Sequence, residues 1–354
     1  MVGAEETGVA SSRRVLLVSV PRTASNLLLK LLNIHNQPNL LTSTRGGYFF
    51  YPAYTGAAQD GTLGKPASEW SREEKEKFQS ALQACIDNLE EYSSQAKNEN
   101  KTMFAKEHAF WFYNPGFLQR WMTGVDDPEF IDSFRAGIHV PEKYGPGTFS
   151  ASNETILPDA YLHTWQMAFL IRHPALSWPS MYRAMQKISG EYDMDEDGIK
   201  GTSLSNMTYR WTRRLYDWCA TQPDVPTPPP VVDAHDLIHS PQIVLKFCDR
   251  LGLDRDAVQY EWNAQKTADV PKAPGEGTEG DERGRHSRIN AFMLSTLNES
   301  SGVVKDKAPV EIDIEAESVK WNEEFGAEIA GFLHKAVLDS MPDYEYLKAR
   351  RITA

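Results

Sequence analysis

A short apolar strand that runs straight into a cationic turn and then into a helix constrains this chain more than any other feature. Residues 15–20, VLLVSV, are apolar at nearly every position, and Pro21 follows directly. A run of this kind, without alternation, reads as a strand of a parallel sheet buried on both faces. From Asn26 the apolar positions Leu27, Leu28, Leu31, Leu32 and Ile34 follow helical spacing, with Thr23 or Ser25 available as N-cap. Between them, Pro21-Arg22-Thr23-Ala24-Ser25-Asn26 gathers backbone N–H groups, two hydroxyls and a guanidinium at a helix start. Orphan N–H groups and the helix dipole both favour negative charge there, so the turn is a candidate anion site. It is not a Walker A loop: no GxxxxGK followed by Ser or Thr occurs, and Gly64-Lys65 precedes Pro66. Without that lysine and the Mg²⁺-binding hydroxyl, ATP or GTP hydrolysis is unsupported. An ordinary capped βα turn that binds nothing is the competing reading of this segment alone.

The rest of the chain repeats the alternation. Ser71-Arg72-Glu73-Glu74 is a capping box opening a helix that runs to about Ala96, and Thr102–Ala105 is a short strand. Residues 121–160 are rich in Gly, Pro, Asp and Ser and read as an irregular insertion. Met167–Ile171 is a second buried strand, followed by a helix carrying Trp178, Met181, Tyr182 and Met185, and by another from about Leu204 to Ala220. The stretch TQPDVPTPPP at 221–230 is a stiff linker. Val231–Ala234 is a last strand before a helix over Pro241–Leu251; 264–288 reads as a polar surface loop; Glu315–Leu338 is an amphipathic helix. Strands alternating with helices predict an α/β fold with a mainly parallel central sheet flanked by helices. The expected organisation is a flexible 1–14, a single domain over 15–345 and a tail over 346–354.

Lys and Arg total 37 against 49 Asp and Glu, a formal charge of −12. Phosphate neutralisation along a nucleic acid needs clustered cations, so no nucleic-acid partner is expected, and any anion site must concentrate its cations in one cleft. Cys85, Cys219 and Cys248 are odd in number and form no CxxC, which argues against a disulfide framework or structural zinc and fits a reducing compartment. Met1–Arg14 has no apolar core of a secretory signal, and no run reaches the ~20 apolar residues of a membrane span. The expected location is cytoplasmic.

Two further segments bear on the anion site. Arg172 ends the strand at 171 and Ser180 follows eight positions later, a pair able to chelate one phosphate; a salt-bridged arginine beside a surface serine is the plain alternative. Phe104-Ala105-Lys106-Glu107-His108 ends a strand in Lys-x-His. Side chains at i and i+2 share a face, so Lys106 and His108 point together and Glu107 points away.

Together these segments resemble the sulfotransferase family that uses 3′-phosphoadenosine-5′-phosphosulfate (PAPS), nearest to sulfotransferase-like proteins of filamentous fungi. The loop at 21–27 is similar to that family's 5′-phosphosulfate loop, Arg172 and Ser180 match its 3′-phosphate pair including the spacing, and Lys106 and His108 match its K-x-H segment. The run VVDAHDL at 231–237 and Leu251-Gly252-Leu253 are similar to its late strand and helix. The resemblance implies a P-loop-like architecture and PAPS as sulfuryl donor, with no metal. It implies His108 as general base near an ordinary pKa of about 6.5, with Lys106 and Arg22 stabilising the transferring group. Cofactor binding falls to Arg22, Thr23, Ala24, Ser25, Asn26, Arg172 and Ser180. The family's late Arg-Lys-Gly element is not literally present, and Arg283-Gly284-Arg285 is the nearest candidate. Ala24 stands where the loop glycine usually sits, Asn26 replaces a hydroxyl, and Leu27 replaces the tryptophan that stacks on adenine. The family's dimerisation motif is absent, so oligomeric state is not inherited.

Other apparent motifs are set aside. Asp193-x-Asp195-x-Asp197-Gly198 opens like a calcium loop but has Leu204 at its twelfth position, and His235 and His239 lack a third ligand. Trp211, Leu215 and Trp218 read as core. The clusters Tyr48–Tyr51 with Tyr54, and Phe110–Tyr113, read either as core or as walls of a site for a small phenol or hydrophobic alcohol. A nucleotide-binding protein that kept the fold and lost the chemistry is the alternative function.

Overall fold

The computed structural model describes residues 13–43, 46–192, 196–222, 227–264, 293–294 and 297–354. Asp193, Asp195, most of the polar loop, Arg283, Gly284, Arg285 and the first twelve residues lie outside this set. Strand β1 (Arg14–Ser19) leads through the cationic turn into α1 (Ser25–Leu31) and β2 (Leu40–Thr42). Helices α2 (Tyr51–Gln59) and α3 (Arg72–Asn98) precede β3 (Thr102–His108). Helices α4 (Pro115–Thr123), α5 (Pro128–Ala136) and α6 (Asp159–Leu162) follow before β4 (Gln166–Ile171). Next come α7 (Pro174–Tyr192), α8 (Glu196–Asn206), α9 (Arg210–Ala220) and β5 (Val231–Asp233). Helices α10 (Ala234–His239) and α11 (Pro241–Leu251), and two C-terminal helices, Ile314–Phe325 and Ala327–Lys348, complete the described elements.

All five strands are parallel, in the order β2-β3-β1-β4-β5. Strand alternation sorts the core into two layers. Val15, Leu17, Phe104, Ala168 and Leu170 face α1 and α11, meeting Leu28, Leu31, Ile243 and Phe247. Leu16, Val18, Met103, Ala105, Met167 and Phe169 face the opposite layer, which holds α2, α3, α7, α9 and the last helix. Burying each large aliphatic side chain contributes roughly 1.5–3 kcal/mol, enough to hold the strand register through β1. The chain leaves β1 toward β2 and leaves β4 toward β5. A crevice therefore opens between the carboxyl ends of β1 and β4, where such sheets bind ligands.

Several expectations change. The strand first read over Thr102–Ala105 reaches His108, as the Lys-x-His reading requires, because β3 stays paired with β1 up to Ser19↔His108. The segment expected to be irregular over 121–160 holds α5, whose start is capped by the Asp127 carboxylate accepting from Phe130 N. The single helix expected from Leu204 is broken before Arg210, whose N–H donates to the Thr208 hydroxyl. The C-terminal helix is divided at Gly326, which takes φ +83. The expected tail is tied down: Ile352 N donates to Val231 O at 2.8 Å, extending the pairing at β5. The box at Ser71 and Glu74 forms as expected, with both reciprocal bonds, and is worth about 1 kcal/mol. Trp211, Leu215 and Trp218 are core.

Candidate active site

The turn after β1 is built from backbone that L-residues rarely adopt: Arg22 and Ala24 both sit at φ +66. The left-handed region costs a non-glycine residue about 1–2 kcal/mol, so the turn is held by its surroundings. Thr23 and Ser25 do not cap α1; its N-cap is Ala24, with no side-chain bond. The Thr23 hydroxyl, expected among the anion-holding groups, instead turns inward and donates to Val20 O at 2.8 Å. Arg22 swings across the crevice. Its Nε donates to Ser180 Oγ at 3.0 Å, and its carbonyl accepts from the Arg172 guanidinium at 3.0 Å. The outer nitrogens of the two arginines reach Met293 O and Lys307 O. Tyr209 clamps the end of β4, its hydroxyl accepting from Arg172 N and donating to Arg172 O. The Nε of Arg172 is buried without a hydrogen-bond partner.

The end of β3 supplies the second half. Lys106 Nζ donates to Asn26 Oδ1 at 2.6 Å, which leaves the Asn26 amide nitrogen to face outward chemistry. His108 Nδ1 lies 3.0 Å from Ser19 Oγ, and its Nε2 lies 3.0 Å from the Tyr48 hydroxyl. Glu107 points to the other layer, where it accepts from Phe49 N and Phe50 N. Tyr48 is the residue that sequence reasoning placed only within an aromatic cluster. Its ring covers the Lys106 ammonium at 4.0 Å, and its phenol is within hydrogen-bonding reach of Ser25. It arrives there because Gly46 and Gly47, at φ +66 and +86, fold the chain over β3. A Cβ on Gly47 would stand 3.1 Å from Lys106 Cβ. The Gly-Gly pair before an aromatic run was the available signal. Phe49, Phe50, Tyr54 and the whole of Phe110–Tyr113 are core, with Tyr48 and Tyr51 packed against it, and Tyr48 and Trp111 stand 5.2 and 4.4 Å from the His108 ring.

Burial sets the electrostatics. Lys106 is pushed down to about 7 and Arg172 down to about 10, chiefly by desolvation, with Arg22 adding repulsion to Arg172. Arg22 is lowered for the same first reason. Among the described residues, no carboxylate forms a salt bridge with any of these three cations. Burial and the neighbouring Lys106 hold His108 well below its ordinary value of 6.5, which corrects the expectation of an unperturbed imidazole. Nδ1 faces Ser19 and Nε2 faces the Tyr48 hydroxyl; we assign the ring proton to Nδ1, which leaves Nε2 as the basic nitrogen. Tyr48 is raised by burial and stays protonated, so its O–H donates to Nε2.

No protein-family model matches the chain. A sulfotransferase from Metarhizium majus, named ppzF, is 33% identical over 361 residues, covering 96% of this chain and 97% of its own. Its namesake in Metarhizium rileyi is 32% identical, covering 96% of each chain. The chain belongs to the sulfotransferase family. Among solved structures, the sulfotransferase domain of the Synechococcus PCC 7002 olefin synthase is similar over 92% of this chain and 99% of that domain, at 14% identity and a TM-score of 0.36. The five-stranded parallel sheet flanked by helices is the α/β architecture expected of this sulfotransferase. Of the expected site residues, Arg22, Ser25, Asn26, Lys106, His108, Arg172 and Ser180 converge on one end of the sheet. Thr23 is turned away, and Arg283, Gly284 and Arg285 lie outside the described residues. Tyr48, Ser19 and Tyr209 join them. Among the described residues no helix is long and apolar enough to cross a membrane, and no cluster of metal-ligating side chains occurs.

Proposed function

We propose that the chain moves a sulfuryl group from PAPS to the hydroxyl of a small aromatic or hydrophobic acceptor. One observation carries this reading: the buried Lys106 and the half-buried Arg22 and Arg172, from three different strand ends, gather at one end of the sheet, and among the described residues no carboxylate comes within salt-bridge distance of them. Desolvating cations is costly unless an anion arrives, so the arrangement favours a polyanionic ligand. Arg172 and Ser180 would hold the 3′-phosphate; the orphaned Arg172 Nε is a donor still to be satisfied there. Ser25, the Asn26 amide and the turn N–H groups would hold the 5′-phosphosulfate. His108 Nε2 accepts the acceptor's proton as its oxygen attacks sulfur, while Lys106 and Arg22 stabilise charge on the transferring group and on the departing phosphate oxygen. Tyr51 and Trp111, which lie beside Tyr48, offer apolar surface to the acceptor.

The test is transfer from radiolabelled PAPS to a panel of phenols, alcohols and amines, run beside His108→Ala. That variant is expected to lose about 10²–10⁴ in turnover while binding adenosine 3′,5′-bisphosphate normally. Because His108 is held below 6.5, the acid limb of the native rate is expected below that pH. An unchanged rate in His108→Ala removes the base from the mechanism. Tight nucleotide binding with no transfer to any acceptor would favour the non-catalytic alternative.

A further inference from the structure

Tyr48 occupies the position that an acceptor must take. Its hydroxyl is 3.0 Å from the basic nitrogen of His108, its oxygen is within reach of Ser25 in the turn after β1, and its ring lies on the Lys106 ammonium. Trp111 flanks it at 4.9 Å and Tyr51 at 6.4 Å. No other phenol among the described residues bonds to His108. We propose that Tyr48 is itself an acceptor: with PAPS bound and no diffusible phenol present, the enzyme sulfates its own Tyr48 hydroxyl.

The inference rests on the reading of the site given under Proposed function. In the step, the Tyr48 oxygen forms a bond to sulfur as the bond between sulfur and the bridging oxygen of the 5′-phosphate breaks. The phenolic proton passes to His108 Nε2. The electron pair of the broken bond leaves on adenosine 3′,5′-bisphosphate, whose charge Arg22 and Lys106 hold. No oxidant, metal or further reactant is needed. A buried phenol is a weak acid, so its proton passes to His108 only as the bond to sulfur forms, and the preset contact avoids most of the entropy of bringing reactants together. Gly46 and Gly47 give the loop the backbone freedom to carry Tyr48 aside when a diffusible phenol competes for the same contacts.

The experiment incubates the full chain with radiolabelled PAPS, with and without excess p-nitrophenol, and follows intact mass, peptide maps and p-nitrophenyl sulfate. The expected result is near-stoichiometric gain of one SO₃ on the peptide containing Tyr48. The gain should be suppressed by p-nitrophenol and abolished in Tyr48→Phe. Sulfated p-nitrophenol with an unlabelled chain overturns the inference and leaves the enzyme's function standing; so does label that persists in Tyr48→Phe. Absence of both products overturns the inference, while the function is judged separately by the acceptor panel. The peptide map of the native chain decides the matter even if Tyr48→Phe folds poorly, and adenosine 3′,5′-bisphosphate binding by that variant checks its folding.

Discussion

The turns after β1 and after β5 lie at the same carboxyl end of the same sheet, and both lead from a buried strand into a short helix. Their chemistry is opposite. After β1 the helix start has no side-chain cap, and Arg22 is joined by Arg172 and Lys106 without a carboxylate in salt-bridge reach. After β5 the start is filled from within: Asp233 accepts from His235 N and from the Tyr344 hydroxyl, and Asp236 pairs with Arg351. Tyr344 and Arg351 come from the last helix and the segment beyond it, so the C-terminus fills the turn after β5 and leaves the turn after β1 cationic. A βα turn at the carboxyl end of a sheet is therefore not a ligand site by virtue of its form. What separates the two is whether the fold has already supplied the counter-charge.

That contrast has measurable consequences. Arg172→Ala removes charge-assisted bonds worth about 1.5–3 kcal/mol, so the Kd for adenosine 3′,5′-bisphosphate is expected to rise roughly 10–100-fold by calorimetry. An unchanged Kd would remove Arg172 from the anion pocket. Proton linkage should also distinguish the two ends. Burial pushes Lys106 down to about 7, so above that pH an arriving anion must draw in a proton. Affinity should fall with rising pH by up to about tenfold per unit, with proton uptake visible in buffers of different ionisation enthalpy. Affinity that is flat from pH 7 to pH 9 would mean that Lys106 does not meet the anion.

At the other end, Asp233→Ala removes a cap and a partner of Tyr344. It should lower stability by about 1–3 kcal/mol in a denaturant titration while leaving nucleotide affinity unaltered. Loss of affinity there would erase the distinction between the two turns. The smallest effect is expected for Ala24→Gly. Relief of the left-handed cost, offset by the greater freedom of an unfolded glycine, should raise stability by up to about 1 kcal/mol with Kd unchanged.

Much of the candidate site was legible because it obeys local rules. Arg22 and Arg172 each follow the end of an apolar run, and strand alternation alone placed Lys106 with His108 and turned Glu107 away. Other features were not legible. The Thr23 hydroxyl is consumed by its own turn, a choice that depends on the unusual backbone at Arg22 and Ala24. Tyr48 lies 60 positions from His108 and reaches it only because the Gly-Gly segment crosses β3. The breaks at Thr208 and Gly326 escaped a reading based on apolar spacing, since the apolar pattern continues through both.

Periodicity, strand-end cations and turn composition are properties of neighbouring residues, and they sufficed for an α/β chain with a candidate anion turn and a Lys-x-His pair on one strand face. Strand order was decided only in three dimensions. Placing β1 between β3 and β4 sets Arg22 against Ser180, 158 positions away, and brings Lys106 to the same end. The lowered Lys106 and His108 and the Tyr48 phenol held on the His108 ring also arise there. Desolvation is imposed by whatever packs around a group, and those neighbours come from distant parts of the chain.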